Sequence, residues 1–199
     1  RAIPGKKSID DILADTAMPI HWGAKQAGMQ AYEQCDNLLP IGLPLGSTRE
    51  QAWLEARNCA IEVAYAYDTA GYHKQVVNRL LEPFMHITTL VSATEWSNFL
   101  ELRDHPDAEP HIQMLAREVR KCLDDESKVE ELLPGQWHLP FVGFEDWAAI
   151  NKKERVPVNR LALAQKLSVA RCASTSYKTV DGFDMTLDRA IALHDKLVA

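Results

Sequence analysis

The chain has 199 residues, 46% hydrophobic and 25% charged, with a formal net charge of −6. That length supports one domain with a real core, or two small ones, and the composition is ordinary for a globular protein. The acidic balance argues against a general nucleic-acid polymer binder, which needs a basic face, but leaves room for a mononucleotide site built from a few placed cations.

No apolar run reaches the length of a membrane span, and the opening residues do not read as a secretory signal. Cys35, Cys59, Cys122 and Cys172 are scattered, with no CxxC spacing. They read as reduced thiols of a cytoplasmic protein rather than a disulfide framework or zinc site. Residue 1 is Arg and the chain stops at "ALHDKLVA", so both ends read as cut.

In chain order, "KKSIDDILADTA" predicts a short helix with Ser8 as its N-cap and Asp10 and Asp11 in its first turn. Residues 18–46 carry Pro19, Pro40, Pro44 and several glycines, and read as a long connection with at most one helical turn. Such a connection in a compact domain often lies over a site. Ser47 or Thr48 then caps a long helix that Gly71 ends, and a second helix spans about 73–82 and stops at Pro83. "FMHITTLVS" (84–92) is rich in β-branched residues and is the best predicted strand.

A helix from Thr94 to about Arg103 follows, with Trp96, Phe99 and Leu100 on one face. Another runs from about Glu109 to Leu123, with an apolar stripe of Ile112, Leu115, Val119 and Leu123 and with Arg117, Arg120 and Lys121 facing water. Residues 126–150 read as mixed: loop, a short strand near Trp137–Leu139, and a short helix from Glu145. Residues 158–174 predict an Ala/Leu-rich helix after Pro157, "TSYKTVDGFD" a loop, and "MTLDRAIALHDKLVA" a final helix. The expected class is α+β, helix-rich with a small antiparallel sheet.

Seven histidines are present without HExxH or paired ligand spacing, so no metal site is expected. GxSxG, P-loop and GxGxxG patterns are absent too. The arginines are more informative. Arg103 falls at i+7 from Trp96 and i+4 from Phe99, along an apolar face, and Arg79 stands beside Val76 and Leu80. A guanidinium so placed must pair or sit over a cleft, because burying it alone is costly. One reading pairs it with Glu82 or Glu101, or lets it snorkel to water. The other makes it a contact for an anion or planar ligand. Asn98 is a poor helix former in mid-helix, and "ARCASTSYKTVDG" runs from a helix into Ser174, Thr175, Ser176 and Tyr177.

"VNRLLEPF", the predicted strand and "ATEWSNFLELRDHPDAEPHI" together resemble the flavin-dependent thymidylate synthases in a long phage and bacterial form. An Arg before a short apolar–Pro segment and an Asn five residues before an Arg in "NFLxLR" are active-site features of that family. Here they fall on Arg79, and on Asn98 with Arg103. "SVARCASTSY" is similar to the family's "AARVSY" segment, whose Ser falls on Ser176. "RAIP" resembles the end of the signature HRxxSxNxxSSRAIP, which makes Arg1 its last Arg.

The resemblance implies a thymidylate-synthase-complementing-protein-like fold, and a single catalytic domain over 1–199 that is partial at both ends. It implies reductive methylation of dUMP to dTMP, with carbon from methylenetetrahydrofolate and reducing equivalents from NADPH through FAD. It gives dUMP to Arg1, Arg79 and Arg103, with Arg103 as the catalytic group at the pyrimidine carbonyl. Contacts to FAD fall on Asn98, Ser176 and Ser92, the last standing where the family has a second Asn. It also implies a homotetramer with shared sites. Asp107 stands where the family often has a His, with His105 close by, and the family role transfers to neither. The alternatives are a pyrimidine-nucleotide hydroxymethylase on the same scaffold, or a non-catalytic helical interaction module.

Overall fold

The computed structural model describes residues 5–27, 32–41, 46–175 and 185–199. Among them lie eight α-helices: α1 (Gly5–Ala14), α2 (Arg49–Thr69), α3 (Lys74–Leu81), α4 (Ser97–Arg103), α5 (Pro110–Leu123), α6 (Phe144–Lys153), α7 (Pro157–Ala173) and α8 (Leu187–Val198). The only β-pairing among the described residues is two isolated bridges, Gly23 with Gln34 and Leu39 with Ser47. The expected α+β class with an antiparallel sheet is therefore wrong for the described residues, which are helical. The fold expected from the family resemblance falls with it.

The predicted strand at 84–92 shows why. Glu82–Phe84 form a 3₁₀ turn, and the residues after it are irregular. Ile87 is 82% exposed and Val91 64%. β-Branched residues favour a strand where a partner and a half-buried pleated surface exist. This segment has neither. The same holds for Trp137–Leu139, which lies between two turns rather than in a strand.

The helix ends follow local chemistry. The Thr48 side chain accepts from the Gln51 amide while the Gln51 side chain accepts from the Thr48 amide, which starts α2 with a reciprocal cap. Pro157 opens α7, where its missing N–H costs nothing. The Thr186 side chain accepts from the Arg189 amide to start α8. Ser8 is buried inside α1 rather than capping it.

The chain divides into two units. One comprises Ala2–His86 and Ala93–Val129. Its core joins α1, α2 and α3 through Ile12, Ala64, Val77, Leu81 and Phe84. Trp53 packs on Phe84 at 5.3 Å between ring centres and donates its indole N–H to the Ala17 carbonyl at 3.0 Å. Arg49 holds the long connection to α2 by bonding Asp36 and the Cys35 carbonyl, and lies 5.6 Å from the centre of the Trp22 ring.

The other unit comprises Ile87–Ser92 and Glu130–Ala199, apart from the undescribed residues. Ile150, Ala164, Leu167, Ala170 and Ala190 form its core between α6, α7 and α8. Small residues let α7 and α8 approach closely. Arg171, near the end of α7, makes a two-point ion pair with Asp146 of α6 at 2.6 and 2.8 Å. Asp146 also accepts the Gly143 amide at 2.8 Å. Burial pushes the Asp146 carboxyl up, but the Arg171 hydrogen bonds, the Gly143 amide and the Arg171 charge outweigh it, and its pKa falls below the ordinary 3.8.

Removing one partner of a largely buried pair leaves an uncompensated charge, so Asp146→Asn should cost about 3 kcal/mol in urea unfolding at pH 7. Because the folded pKa is depressed, the contribution of Asp146 is fully present above 3.8 and lost as pH falls through the lower folded value. The gap between wild type and Asp146→Asn should close over that acidic range. A gap unchanged into strong acid would show that the pair does not stabilise the fold.

Candidate functional site

Three of the residues singled out by the sequence lie in the first unit. Asn98 and Arg103 share α4, and Arg79 ends the last turn of α3. α3 packs on α1 and α2, whereas α4 packs on α5, so Arg79 and Arg103 stand on helices with different neighbours. Ser92 is exposed and belongs to the other unit. Arg1 and Ser176 lie outside the described residues.

α4 has no buried residue. Trp96 precedes it as N-cap and meets Phe99 edge to face at 6.0 Å. Arg103 is exposed, and no described residue pairs with it. The puzzle of an arginine on an apolar face changes accordingly, because Trp96, Phe99 and Leu100 are only half-buried and Arg103 lies at the exposed end of that face. Asn98 is exposed as well. Five residues apart, Asn98 and Arg103 stand about 140° apart around the helix axis. They would serve two partners more readily than one.

The carboxylate beside Arg103 is already taken. Asp104 accepts from Arg117 at 3.0 Å and from Arg120 at 2.9 Å, both on α5. These hydrogen bonds, Arg120 first, lower the Asp104 pKa below 3.8 despite desolvation. Arg117 and Arg120 were read as facing water; they are half exposed but hold α4 to α5.

The break after α4 is a built turn. The Asp107 amide donates to the His105 ring at 3.1 Å, and Ala108 is buried. Glu109 accepts from the His111 and Ile112 amides and so caps α5. The long connection reaches this break: the Tyr32 hydroxyl donates to the Pro106 carbonyl and lies 3.2 Å from Asp107, while the His21 amide lies 3.4 Å from the His111 ring.

Arg79 lies 3.3 Å from Glu82, one turn on. Their side chains are 76% and 55% exposed, so the pair is worth about 0–1 kcal/mol and yields readily to a stronger anion. The expected stripe on α5 is not a core stripe. Leu115 is 54% exposed and Leu123 42%, Ile112 is exposed, and Ala116 is the buried residue of that helix. Sequence reading missed the Asp104 clamp; acidic Asp104 followed by Arg117 and Arg120 is its only trace. Among the described residues no His/Cys/Asp/Glu cluster could hold a metal, and no helix is long and apolar enough to cross a membrane.

No protein-family model, curated protein or solved structure matches the chain.

Asp104→Asn should weaken the hold of α5 on α4. Amide exchange over 97–103 should then speed up severalfold at pH 7, while α2 and α3 keep their protection. Unchanged exchange in α4 would show that the seven-residue helix stands without the clamp.

Proposed function

We propose that this chain belongs to a flavin-dependent thymidylate synthase, methylating dUMP to dTMP with methylenetetrahydrofolate and NADPH as co-substrates, in the cytoplasm. The observation that carries the proposal is Arg103: a guanidinium at the end of α4, exposed and without a described partner, while the adjacent Asp104 is occupied by Arg117 and Arg120. Its planar fork of donors suits the pyrimidine carbonyl, where negative charge develops as the ring is attacked. The motifs around Arg79, Asn98 and Ser176 supply the family context.

Arg79 would take the phosphate or sugar side of dUMP, together with Arg1. Its weak surface pair with Glu82 gives way to a phosphate, which binds a guanidinium through two parallel charged hydrogen bonds. The resemblance gives the flavin to Asn98, Ser92 and Ser176; of these the exposed Asn98 amide can donate to a ring carbonyl and accept from a ring N–H. Bound FAD would carry the hydride that completes the methyl group. The protein's work is then positioning and charge stabilisation, which needs no thiolate or metal.

A homotetramer with shared sites is part of the same proposal. The exposed Leu115 and Leu123 on α5 and Tyr65 on α2 offer apolar surface for such an assembly. The hydroxymethylase alternative uses the same residues, and product mass separates the two.

FAD-dependent tritium release from C5-labelled dUMP tests the reading in the intact protein. Arg103→Lys should lower turnover at least tenfold while moving the melting temperature little, because the residue is exposed and has no partner among the described residues. Absence of release, of bound flavin and of any thermal shift with dUMP would favour the helical interaction module.

A further inference from the structure

We propose that the second unit holds a binding cleft for a planar heteroaromatic ring, with Trp137, Trp147 and Phe141 among its lining residues. The cleft has a volume of about 560 Å³, lies entirely within residues 130–161, and is lined also by Gln136 and His138. That volume is in the range of small-molecule sites. The inference rests on this unit's own geometry and not on the thymidylate reading.

The lining is fastened at Phe141. Phe141 has φ of 64°, a left-handed conformation that a bulky non-glycine residue adopts only when its surroundings enforce it. α7 supplies the enforcement. The Ser168 hydroxyl donates to the Pro140 carbonyl at 2.9 Å, and the Arg171 guanidinium donates to the Phe141 carbonyl. Arg171 is itself held by its two-point pair with Asp146. Two consecutive carbonyls of an irregular segment are thus bonded by one helix. Strain kept in place by such bonds belongs to a shaped surface rather than to a slack loop.

A second turn carries more of the lining. Gly135 has φ of 88°, the Gln136 amide donates to the Leu133 carbonyl at 2.9 Å, and the Gln136 side-chain oxygen accepts the Leu133 amide at 2.8 Å. With its oxygen used, Gln136 keeps its NH₂ as a donor. The turn leads directly into Trp137, whose ring is 59% exposed although tryptophan has the largest apolar surface to hide.

A mostly polar lining that carries exposed Trp137, an amide donor and an imidazole suits a ring with acceptor atoms on its edge. Stacking on an indole is tolerant of ring identity, because every such ring has a π face. Proline-bearing peptides also settle on aromatic ledges, so a proline peptide is the competing occupant in the test.

Adenosine is the probe, titrated into the full chain by calorimetry, with ribose as the control. Adenosine should bind saturably and ribose should not. Trp137→Ala removes an exposed ring and leaves the core whole. It should weaken adenosine about tenfold, the loss carried by one stacked ring. Phe141→Gly relieves the backbone strain, so it should fold at least as well, and it should also weaken binding. It decides the question if Trp137→Ala does not fold. No saturable binding at millimolar adenosine, equal affinity in the variant that folds, or binding of a proline peptide in place of adenosine would overturn the proposal.

Discussion

Asp104 is the side chain on which the candidate site depends. α4 has only seven residues and buries none of them. An isolated helix of that length is unstable in water. One carboxylate, with its side chain 18% exposed, accepts hydrogen bonds from two arginines of α5 and supplies the fixed point that propensity and burial do not. The consequence for Arg103 is electrostatic. With Asp104 taken by Arg117 and Arg120, the neighbouring Arg103 guanidinium has no ion-pair partner among the described residues.

The second unit solves a similar problem in a similar way. Its irregular segment at 139–143 has a turn hydrogen bond of its own, from the Val142 amide to the Leu139 carbonyl, but no helix or strand pairing. Arg171 holds it, and Asp146 holds Arg171. Each unit thus has a small core under its helices, mostly aliphatic in the first and alanine-rich in the second, and a carboxylate–guanidinium junction that fixes an otherwise weak element. The two junctions differ in exposure. The Arg171–Asp146 pair is the more buried, so its loss costs more.

Helix positions were legible because their signals are local. Ser47 or Thr48, Gly71, Pro83 and Pro157 each mark an end within a few residues of where the chain turns. The sheet was misread because β-branched residues at 84–92 report a preference that only a partner strand can realise, and no described segment offers one. The stripe on α5 was misread for a related reason. Periodicity says which side chains share a face and says nothing of whether another element covers it. Arg103 was noticed through the same periodicity. Its exposure came only from the structure, because the expected apolar face of α4 is only half-buried. The pairings of Asp104 with Arg117 and Arg120, and of Asp146 with Arg171, join residues 13, 16 and 25 positions apart. No local pattern encodes such partners, and Arg171 drew no notice at the end of an Ala-rich helix.

The central claim of the proposed function is that Arg103, exposed and without a described partner, meets the pyrimidine nucleotide, while Arg117 and Arg120 are committed to Asp104. Nitrogen-15 NMR of the guanidinium Nε–Hε groups during a dUMP titration tests it directly, with Arg103→Lys assigning the signal. The Arg103 resonance should move and sharpen as dUMP binds, and those of Arg117 and Arg120 should stay in place. A stationary Arg103 signal alongside shifts at Arg117 or Arg120 would contradict the account.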